Sequence, residues 1–280
     1  MAVSWSEVQY RRLQELRAEP SALEQEFSGT GHRDKAFQQL EKKLVQQERQ
    51  RLQDVQEQQC RCGLLQLERG SADTLVEKGF VQVQTPIMLS KGLLQKMGIT
   101  EDHPLNEQVY WLGKNQCLRP MLAPNLYYIL KDLLRLWQHP VRIFEIGPCF
   151  RKESQGAKHS SEFTMLNIVE MSLPEHARQE RIKELSILTM QAAGIESYSF
   201  EQEESEVYGQ TMDIVSSEEG IELGSSAMGP HPLDQAWRIQ VPWIGIGFGL
   251  ERLAMVAAGG SNLNRYGRSL TYLNGIRLNI

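Results

Sequence analysis

The N-terminal part of the chain has the hydrophobic periodicity of helices. Between Trp5 and Leu16, apolar residues recur near helical spacing until Pro20 and the segment 28–31 interrupt the pattern, and Ser4 with Glu7 fits a capping box at the helix start. A second, polar helix is predicted to begin at Asp34. We therefore predict a helical region over 1–60, with a bare solvated hairpin as the alternative. The predicted buried stripe of the first helix consists of Trp5, Val8, Leu13 and Leu16.

The pattern changes beyond residue 60, where short apolar segments are separated by hairpin-sized loops. Few of these segments alternate strand with helix, which favours an antiparallel sheet with helices packed on it. We predict an α+β fold for a domain over 61–280. The predicted strands are 80–85, 109–112, 141–150, 163–171, 205–215, 221–228 and 243–249. The predicted helices are 64–78, 124–138, 174–193 and one that begins near Gly249.

The charge balance narrows the possible partners. The net charge is −5, so no overall positive field indicates nucleic acid, and any such contact needs a local patch. One such patch follows Glu251, because the chain contains no Asp or Glu after it. The four arginines of this stretch are Arg252, Arg265, Arg268 and Arg277.

The sequence carries no pattern that predicts a membrane segment or secretion. No apolar run is long enough to predict a membrane helix, and Met1 to Pro20 lacks the apolar centre of a signal peptide. Cys60 and Cys62 have no second Cys or His pair at zinc-finger spacing, which favours reduced thiols. We expect a cytoplasmic protein with no membrane partner.

Arg151 stands at the end of the apolar strand 141–150 and before a polar loop. A buried arginine needs a partner, and a phosphate accepts its planar fork through two hydrogen bonds. A structural ion pair with Glu145 or Glu153 is the alternative.

A glycine-rich strand precedes Arg252. Gly245, Gly247 and Gly249 alternate, so one face of this strand has no side chains and can lie against a flat ligand. Arg252 follows in the first turn of a helix, where phosphate is also favoured. Close packing of the helix on the sheet is the alternative for these glycines.

A third segment, Ile221 to Ser226, carries a carboxylate and a hydroxyl. Hard oxygen ligands of this kind suit Mg²⁺ held against phosphates, and Glu222 and Ser225 are the candidates. The chain contains no Gly-x-x-x-x-Gly-Lys loop, so a nucleotide site cannot rest on a P-loop.

Three segments resemble the motifs of class II aminoacyl-tRNA synthetases. The helix and strand ending at Pro86 are similar to motif 1, Arg151-x-Glu153 followed by Phe163 to motif 2, and Gly247–Arg252 to motif 3. Longer segments closely resemble the catalytic domain of the pyrrolysyl-tRNA synthetase family, in its short bacterial form. Those segments are Cys117–Tyr127, Ile143–Ser154, Glu162–Asn167 and Pro242–Arg252.

The resemblance implies ATP-dependent activation of pyrrolysine and its transfer to the 3′ end of a tRNA. It implies that Arg151 holds the α-phosphate, and that Arg252 holds the γ-phosphate and covers the adenine opposite Phe163. His159 would help to place the triphosphate, and Glu153 would contact the adenine or the acceptor end. Glu222 and Ser225 would hold Mg²⁺.

The resemblance also implies a large apolar pocket for the amino acid. Asn167 would donate to the substrate amide carbonyl, and Tyr208 would form a mobile lid. The remaining pocket residues would be Leu122, Ala123, Leu126, Tyr127, Leu130, Val169, Ala227, Trp243 and Gly247.

Partners follow from the same resemblance. They are an amber-suppressor type tRNA, pyrrolysine, a second copy in a homodimer, and a separate N-terminal tRNA-binding protein. One alternative is a synthetase-like ligase for another large hydrophobic or lysine-derived amino acid. Another is a catalytically silent tRNA-binding paralogue, against which the intact Arg151, Glu222, Ser225 and Arg252 argue.

Overall fold

The computed structural model describes residues 2–58, 61–152, 160–218 and 220–280. Their contacts form two compact units, Met1–Cys62 with Ser269–Ile280, and Gly63–Arg268. The sequence-based division at residue 60 did not include the C-terminal segment in the first unit. Within the described residues, no helix is long and apolar enough to cross a membrane.

The first unit consists of helices around a small aromatic core. Trp5 packs against Phe27 with ring centroids 4.4 Å apart, and Ile280 from the C-terminal segment packs on the same cluster. Its helices are α1 (Glu7–Glu15), α2 (Pro20–Leu23) and α3 (Thr30–Glu57), and its hairpin pairs β10 (Tyr272–Leu273) with β11 (Ile276–Arg277).

Three details of the first unit differ from the sequence prediction. The capping box is formed by Ser6 and Gln9, two residues later than predicted, because the helix begins at Glu7. Helix α3 begins at Thr30, ahead of Asp34. Val8 is 79% exposed, since the unit is small and only the Leu13 side of α1 meets its core.

The second unit is built on a mostly antiparallel seven-stranded sheet with the order β1-β4-β5-β9-β8-β7-β6. Edge strand β1 alone pairs in parallel, with β4. The predicted α+β fold is confirmed. The strands are β1 (Val81–Gln82), β4 (Val141–Phe150), β5 (Glu162–Met171), β6 (Tyr198–Ser205), β7 (Gly209–Ser216), β8 (Glu222–Gly229) and β9 (Trp243–Gly249).

Helices and one short ribbon complete this unit. The helices are α4 (Gly63–Glu77), α5 (Lys91–Lys96), α6 (Pro104–Glu107), α7 (Ala123–Leu136), α8 (Arg178–Ala193), α9 (Asp234–Trp237) and α10 (Leu250–Ala257). Short 3₁₀ helices occupy Glu175–Ala177 and Leu263–Arg265. The ribbon pairs β2 (Met88–Ser90) with β3 (Gln116–Leu118).

Two strand predictions were wrong. The segment 109–112 forms only an isolated bridge from Trp111 to Cys117, and the strand lies at Gln116–Leu118. The predicted strand 205–215 is interrupted by a turn at 206–208, which joins β6 to β7. Gly209 has φ +64°, a left-handed conformation that favours glycine and ends the turn.

The two faces of the central strands differ, because one packs against helices and the other lines the candidate site. On one face, Ile168, Ile246 and Phe248 are fully buried, and α8 and α10 pack on strands β5 and β9. Because side chains alternate along a strand, the residues between them point to the other face. That second face, with helix α7 beside it, carries the candidate site.

Candidate active site

The floor of the site is a flat patch on strands β5, β9 and β8. Residues directly opposite each other on antiparallel strands share a face, so the strand register places two rows of residues side by side. These rows line a cavity of about 450 Å³. The first row consists of Asn167, Gly247 and Ser225, and the second row consists of Val169, Gly245 and Ala227.

Gly247 lies at the centre of the floor, between Asn167 and Ser225. A Cβ atom on Gly247 would lie 3.3 Å from Met165 Cε and 3.6 Å from Asn167 Nδ2. The side-chain amide of Asn167 makes no hydrogen bond to other described residues, although it lines the cavity. The amide donor and acceptor of Asn167 are therefore available to a ligand in the cavity.

One end of the cavity is apolar and aromatic. Tyr127 stacks on Trp237 with centroids 5.4 Å apart and meets Trp243 edge-on at 5.7 Å. Trp243 is fixed in turn, because its Nε1 donates to Asp234 Oδ2 at 2.8 Å. Helix α7 supplies the rest of this wall through Ala123, Leu126, Tyr127 and Leu130.

Leu122 occupies a different place from the one predicted. It is fully buried in the core at the start of α7 and is not among the residues that line the cavity. The helix turn at Ala123 directs the following residues to the cavity, while Leu122 packs behind them.

A buried polar cluster holds helix α7 against the sheet. Arg119 donates to Glu145 Oε1 at 2.7 Å, and their side chains are 1% and 0% exposed. Glu145 also accepts from the hydroxyl of Thr85 at 2.7 Å, and Asn125 of α7 donates to Pro86 O at 2.8 Å. Glu145, a predicted alternative partner of Arg151, therefore pairs with Arg119.

The other end of the cavity is charged. The Arg151 guanidinium lies over the Phe163 ring, 5.3 Å from its centroid, and Arg151 Nε donates to Pro120 O at 2.9 Å. Both side chains line the cavity. Glu153 and His159, the other predicted residues of this region, lie outside the described residues.

Arg252 lies at this charged end, in the first turn of helix α10. Its Nη1 donates to Glu222 O at 3.0 Å and lies 3.5 Å from the Glu222 carboxylate. Arg252 is 34% exposed and Glu222 51%, so solvent screens this pair and a ligand can displace it. All three named groups of the charged end, Arg151, Glu222 and Arg252, line one cavity.

Ser225 has the geometry of a potential metal ligand. Its hydroxyl donates to Asp213 Oδ1 at 2.6 Å, which leaves the oxygen lone pairs available. With the Glu222 carboxylate, two hard oxygen donors face the same end of the cavity, and Asp213 orients one of them. Among the described residues, no group of three or more His, Cys, Asp or Glu side chains is arranged to hold a metal.

Glu251 ties helix α10 to strand β5. Its buried carboxylate accepts from Thr164 N at 2.8 Å and from Thr164 Oγ1 at 2.9 Å. Arg268 lies 3.5 Å from this carboxylate and donates to Thr164 Oγ1 at 2.6 Å. Burial raises the pKa of Glu251, against the lowering effect of Thr164 and Arg268.

Two of the arginines considered for nucleic acid are engaged within the chain. Arg268 is part of the Glu251 cluster, and Arg277 makes an ion pair with Glu15. The basic composition of the C-terminal sequence therefore does not by itself indicate a basic surface that is available to nucleic acid.

Tyr208 lies in the turn between β6 and β7, at the apolar end of the cavity. Its ring is 6.3 Å from that of Trp243. Burial raises the pKa of both Tyr208 and Tyr127, so both hydroxyls stay protonated over the physiological range. The Tyr127 hydroxyl is buried beside Tyr208 and Asp234, and both neighbours add to the rise of its pKa.

Several cavity residues were missed in the sequence. Met165 and Met171 are in register with Asn167 on β5, and extending that alternation would have found them. Leu105 and Gln108 come from the loop around α6, which no strand pattern connects to the site. Others that line the cavity are Met121, Ser160, Ser205, Glu206, Val207, Thr211, Ser226 and Leu263.

Residues 39–223 match the family model described as tRNA synthetases class II (D, K and N). A crystal structure of pyrrolysyl-tRNA synthetase from Desulfitobacterium hafniense has 49% sequence identity and a TM-score of 0.91, and the alignment covers 99% of each chain. A second structure of a pyrrolysyl-tRNA synthetase from that organism has 48% identity and a TM-score of 0.88, and covers 99% of this chain and 96% of that one.

More distant relatives share part of the chain. A threonine–tRNA ligase from Finegoldia magna is 29% identical over 100 residues, which are 34% of this chain and 16% of the relative. An elongation factor P (R)-β-lysine ligase from Proteus mirabilis is 28% identical over 128 residues, 45% of this chain and 37% of the relative. The chain thus spans less than two fifths of either relative.

Proposed function

This chain belongs to the class II tRNA synthetases, and we propose that it activates pyrrolysine with ATP and transfers it to the 3′ end of a cognate tRNA. The observation that carries the proposal is one continuous cavity with a charged end and a long apolar end. An enzyme that forms an adenylate from ATP and a bulky amino acid needs both ends in one space. The name pyrrolysine comes from the two Desulfitobacterium hafniense proteins.

The charged end suits the activation step. The substrate carboxylate attacks the α-phosphorus of ATP, a P–O bond forms, and the bond to the leaving pyrophosphate breaks. Negative charge shifts to the phosphoryl oxygens in the transition state, and fixed cations stabilise it. We assign Arg151 to the α-phosphate and Arg252 to the γ-phosphate, and place the adenine between Arg252 and Phe163.

Glu222 and Ser225 fit Mg²⁺ at this end. Mg²⁺ commonly takes one or two protein oxygens and completes its shell with water and substrate phosphates, where it neutralises charge. In the proposed complex, Arg252 exchanges its contact with Glu222 for the triphosphate. His159 and Glu153 stay predictions for the triphosphate tail and for the adenine or acceptor end.

The apolar end suits a long lysine-derived side chain. Each buried methylene contributes about 0.8 kcal/mol, so area alone can supply much of the affinity. The Asn167 amide, without a partner within the described residues, would donate to the substrate amide carbonyl. Because apolar walls reject near-isosteres poorly, we expect several Nε-acylated lysines to be accepted.

Partners of the enzyme are also part of the proposal. Strand β1 is a sheet edge beside motif 1, and Val81 and Met88 in that region are exposed. Burial of these residues against a second copy would form the proposed homodimer. The helical region 1–60 is proposed to contact tRNA, and a separate N-terminal tRNA-binding protein is proposed as a further partner.

The similarity to a (R)-β-lysine ligase favours one second candidate, activation of another lysine-derived amino acid. ATP–pyrophosphate exchange distinguishes the two. We expect exchange with pyrrolysine and with Nε-acylated lysines, and none with free lysine or β-lysine. Exchange with β-lysine alone would establish the second candidate, and exchange with none of them would refute both.

A further inference from the structure

The turn at 206–208, which carries Tyr208, has backbone groups that the sheet does not satisfy. The β6–β7 ladder ends at the pair Ser205–Gly209. The Ser205 hydroxyl accepts from the backbone N–H groups of Val207 and Tyr208, at 3.3 and 3.4 Å. The carbonyls of Glu206 and Tyr208 lie beyond the ladder and need donors from elsewhere.

Two His-Pro-Leu segments supply those donors. His103 Nε2 lies 3.4 Å from Glu206 O, and His231 Nε2 lies 3.1 Å from Tyr208 O. The first segment forms the start of α6, with His103 at its N-cap, and the second immediately precedes α9. The two histidines therefore reach the same three-residue turn from separate parts of the chain.

The geometry determines which ring nitrogen carries the proton in both cases. His103 Nδ1 accepts from Leu105 N at 3.1 Å, and His231 Nδ1 accepts from Leu233 N at 3.2 Å. An Nδ1 that accepts leaves the proton of a neutral imidazole on Nε2, which can then donate to a carbonyl. Proline after each histidine restricts that histidine to an extended backbone, which prearranges the contact.

From this we propose that His103 and His231 are positioning residues that clasp the Tyr208 turn over the amino-acid pocket. The role of Tyr208 as a lid rests on the proposed function, whereas the clasp rests on the contacts. Strand β6 is exposed over 201–204, whereas Val207 and Tyr208 pack on the edge of the apolar core, so the two histidines supply polar contacts to the backbone of a turn whose side chains are held by apolar packing. His231 also meets the Tyr208 ring edge-on at 5.7 Å.

The second segment also joins the lid to the pocket wall. His231 N donates to Asp234 Oδ2 at 2.7 Å, and the same oxygen accepts from Trp243 Nε1. Displacement of the lid and displacement of Trp243 are thus coupled through one short segment, 231–234. We infer that the clasp sets the depth of the apolar pocket and so the preferred length of the substrate side chain.

Asparagine and glutamine variants separate the two contacts of each histidine. In His231→Asn, the short amide can still accept from Leu233 N, as in an Asx-turn, but it does not reach Tyr208 O. In His231→Gln, the longer amide reaches the carbonyl and restores a donor. His176→Asn, on the exposed Glu175–Ala177 turn, is the matched control.

Hydrogen–deuterium exchange of peptides covering 205–209 tests the clasp independently of any substrate. A lost hydrogen bond of about 1 kcal/mol predicts roughly fivefold faster exchange for His231→Asn, and a smaller change for His103→Asn, whose contact is longer. We expect His231→Gln and His176→Asn to exchange like wild type. Unchanged protection in the His103→Asn/His231→Asn double variant, or equal loss in His176→Asn, would overturn the proposal.

Steady-state pyrophosphate exchange provides the functional readout. We expect the double variant to raise KM for the amino acid several-fold, most for the longest side chains, with KM for ATP unchanged. Equal effects on both KM values would overturn the positioning role. If the wild-type protein activates no lysine derivative, the proposed function fails, whereas the exchange result at 205–209 still decides the clasp.

Discussion

The two ends of the cavity are held in different ways. At the charged end, Arg151 lies over Phe163 and α10 is tied to β5 by the buried Glu251–Thr164 contact, so the residues proposed for ATP are carried by central strands and by the helix packed on them. At the apolar end, Tyr208 is carried by a turn at the sheet edge, and the proposed closure of the pocket depends on that turn. In the proposed function, the central strands would serve the reaction, and the edge turn would influence which amino acid is accepted.

The largest expected effect of a single substitution on activity is at the charged end. Arg252→Ala removes a cation from the triphosphate, and loss of one such electrostatic group costs about 10²–10³ in rate. Pyrophosphate exchange measures the loss, and Arg135→Ala on the exposed part of α7 is the control. Exchange within twofold of wild type would show that Arg252 does not serve the nucleotide.

The largest expected effect on stability concerns the buried cluster that holds helix α7, the apolar wall of the cavity, against the sheet. Arg119→Ala leaves the Glu145 carboxylate buried without its cation, which costs about 3–5 kcal/mol in the free energy of unfolding. Urea denaturation measures this change. Arg135→Ala, which removes an exposed ion pair, should cost less than about 1 kcal/mol. Similar losses in both variants would mean that the buried pair does not hold the wall.

A smaller effect is expected at the boundary between the ends. Asn167→Ala removes the amide proposed to read the substrate, and a lost hydrogen bond of 0.5–1.5 kcal/mol corresponds to roughly two- to twelvefold in KM for pyrrolysine. KM for ATP should not change, and large amino acids without a side-chain amide should be accepted better. An unchanged order of substrate preference would assign selection to other residues.

The smallest effect is a pH dependence at the charged end. Because the folded-state pKa of Glu251 is raised above its ordinary value, its stabilising contribution is complete at low pH and is lost as pH rises through the folded pKa. Glu251→Gln lacks this titration, so the stability of wild type relative to the variant should fall from pH 4 upward. Denaturation at a series of pH values checks it, and a relative stability that rises with pH would contradict the assignment.

The central strands were predicted better than the edge of the sheet that carries the Tyr208 turn. Strands 141–150 and 243–249 match β4 and β9, because central strands carry continuous apolar or glycine-alternating patterns. Strand β6 (Tyr198–Ser205) has no such pattern, since none of its residues is buried and its exposed half is rich in Glu, and the turn that carries Tyr208 was predicted as strand.

Contacts between residues that are distant in sequence were also not predicted. Arg119 and Glu145 are joined by the fold, and nothing in their local sequence distinguishes that pair from Arg151 with Glu145. Local sequence also does not indicate that His103, which precedes the 206–208 turn in the chain, and His231, which follows it, both contact that turn. Such contacts depend on how elements meet, which local periodicity does not encode.

A side-chain length series tests the central claim, that one cavity binds ATP at its charged end and a long apolar side chain at its other end. Pyrophosphate exchange is measured with lysines that carry Nε-acyl groups of increasing length. At about 0.8 kcal/mol per methylene, kcat/KM should rise about fourfold with each carbon until the pocket is full, while KM for ATP stays constant. A kcat/KM independent of acyl length, equal to that of free lysine, would contradict the account.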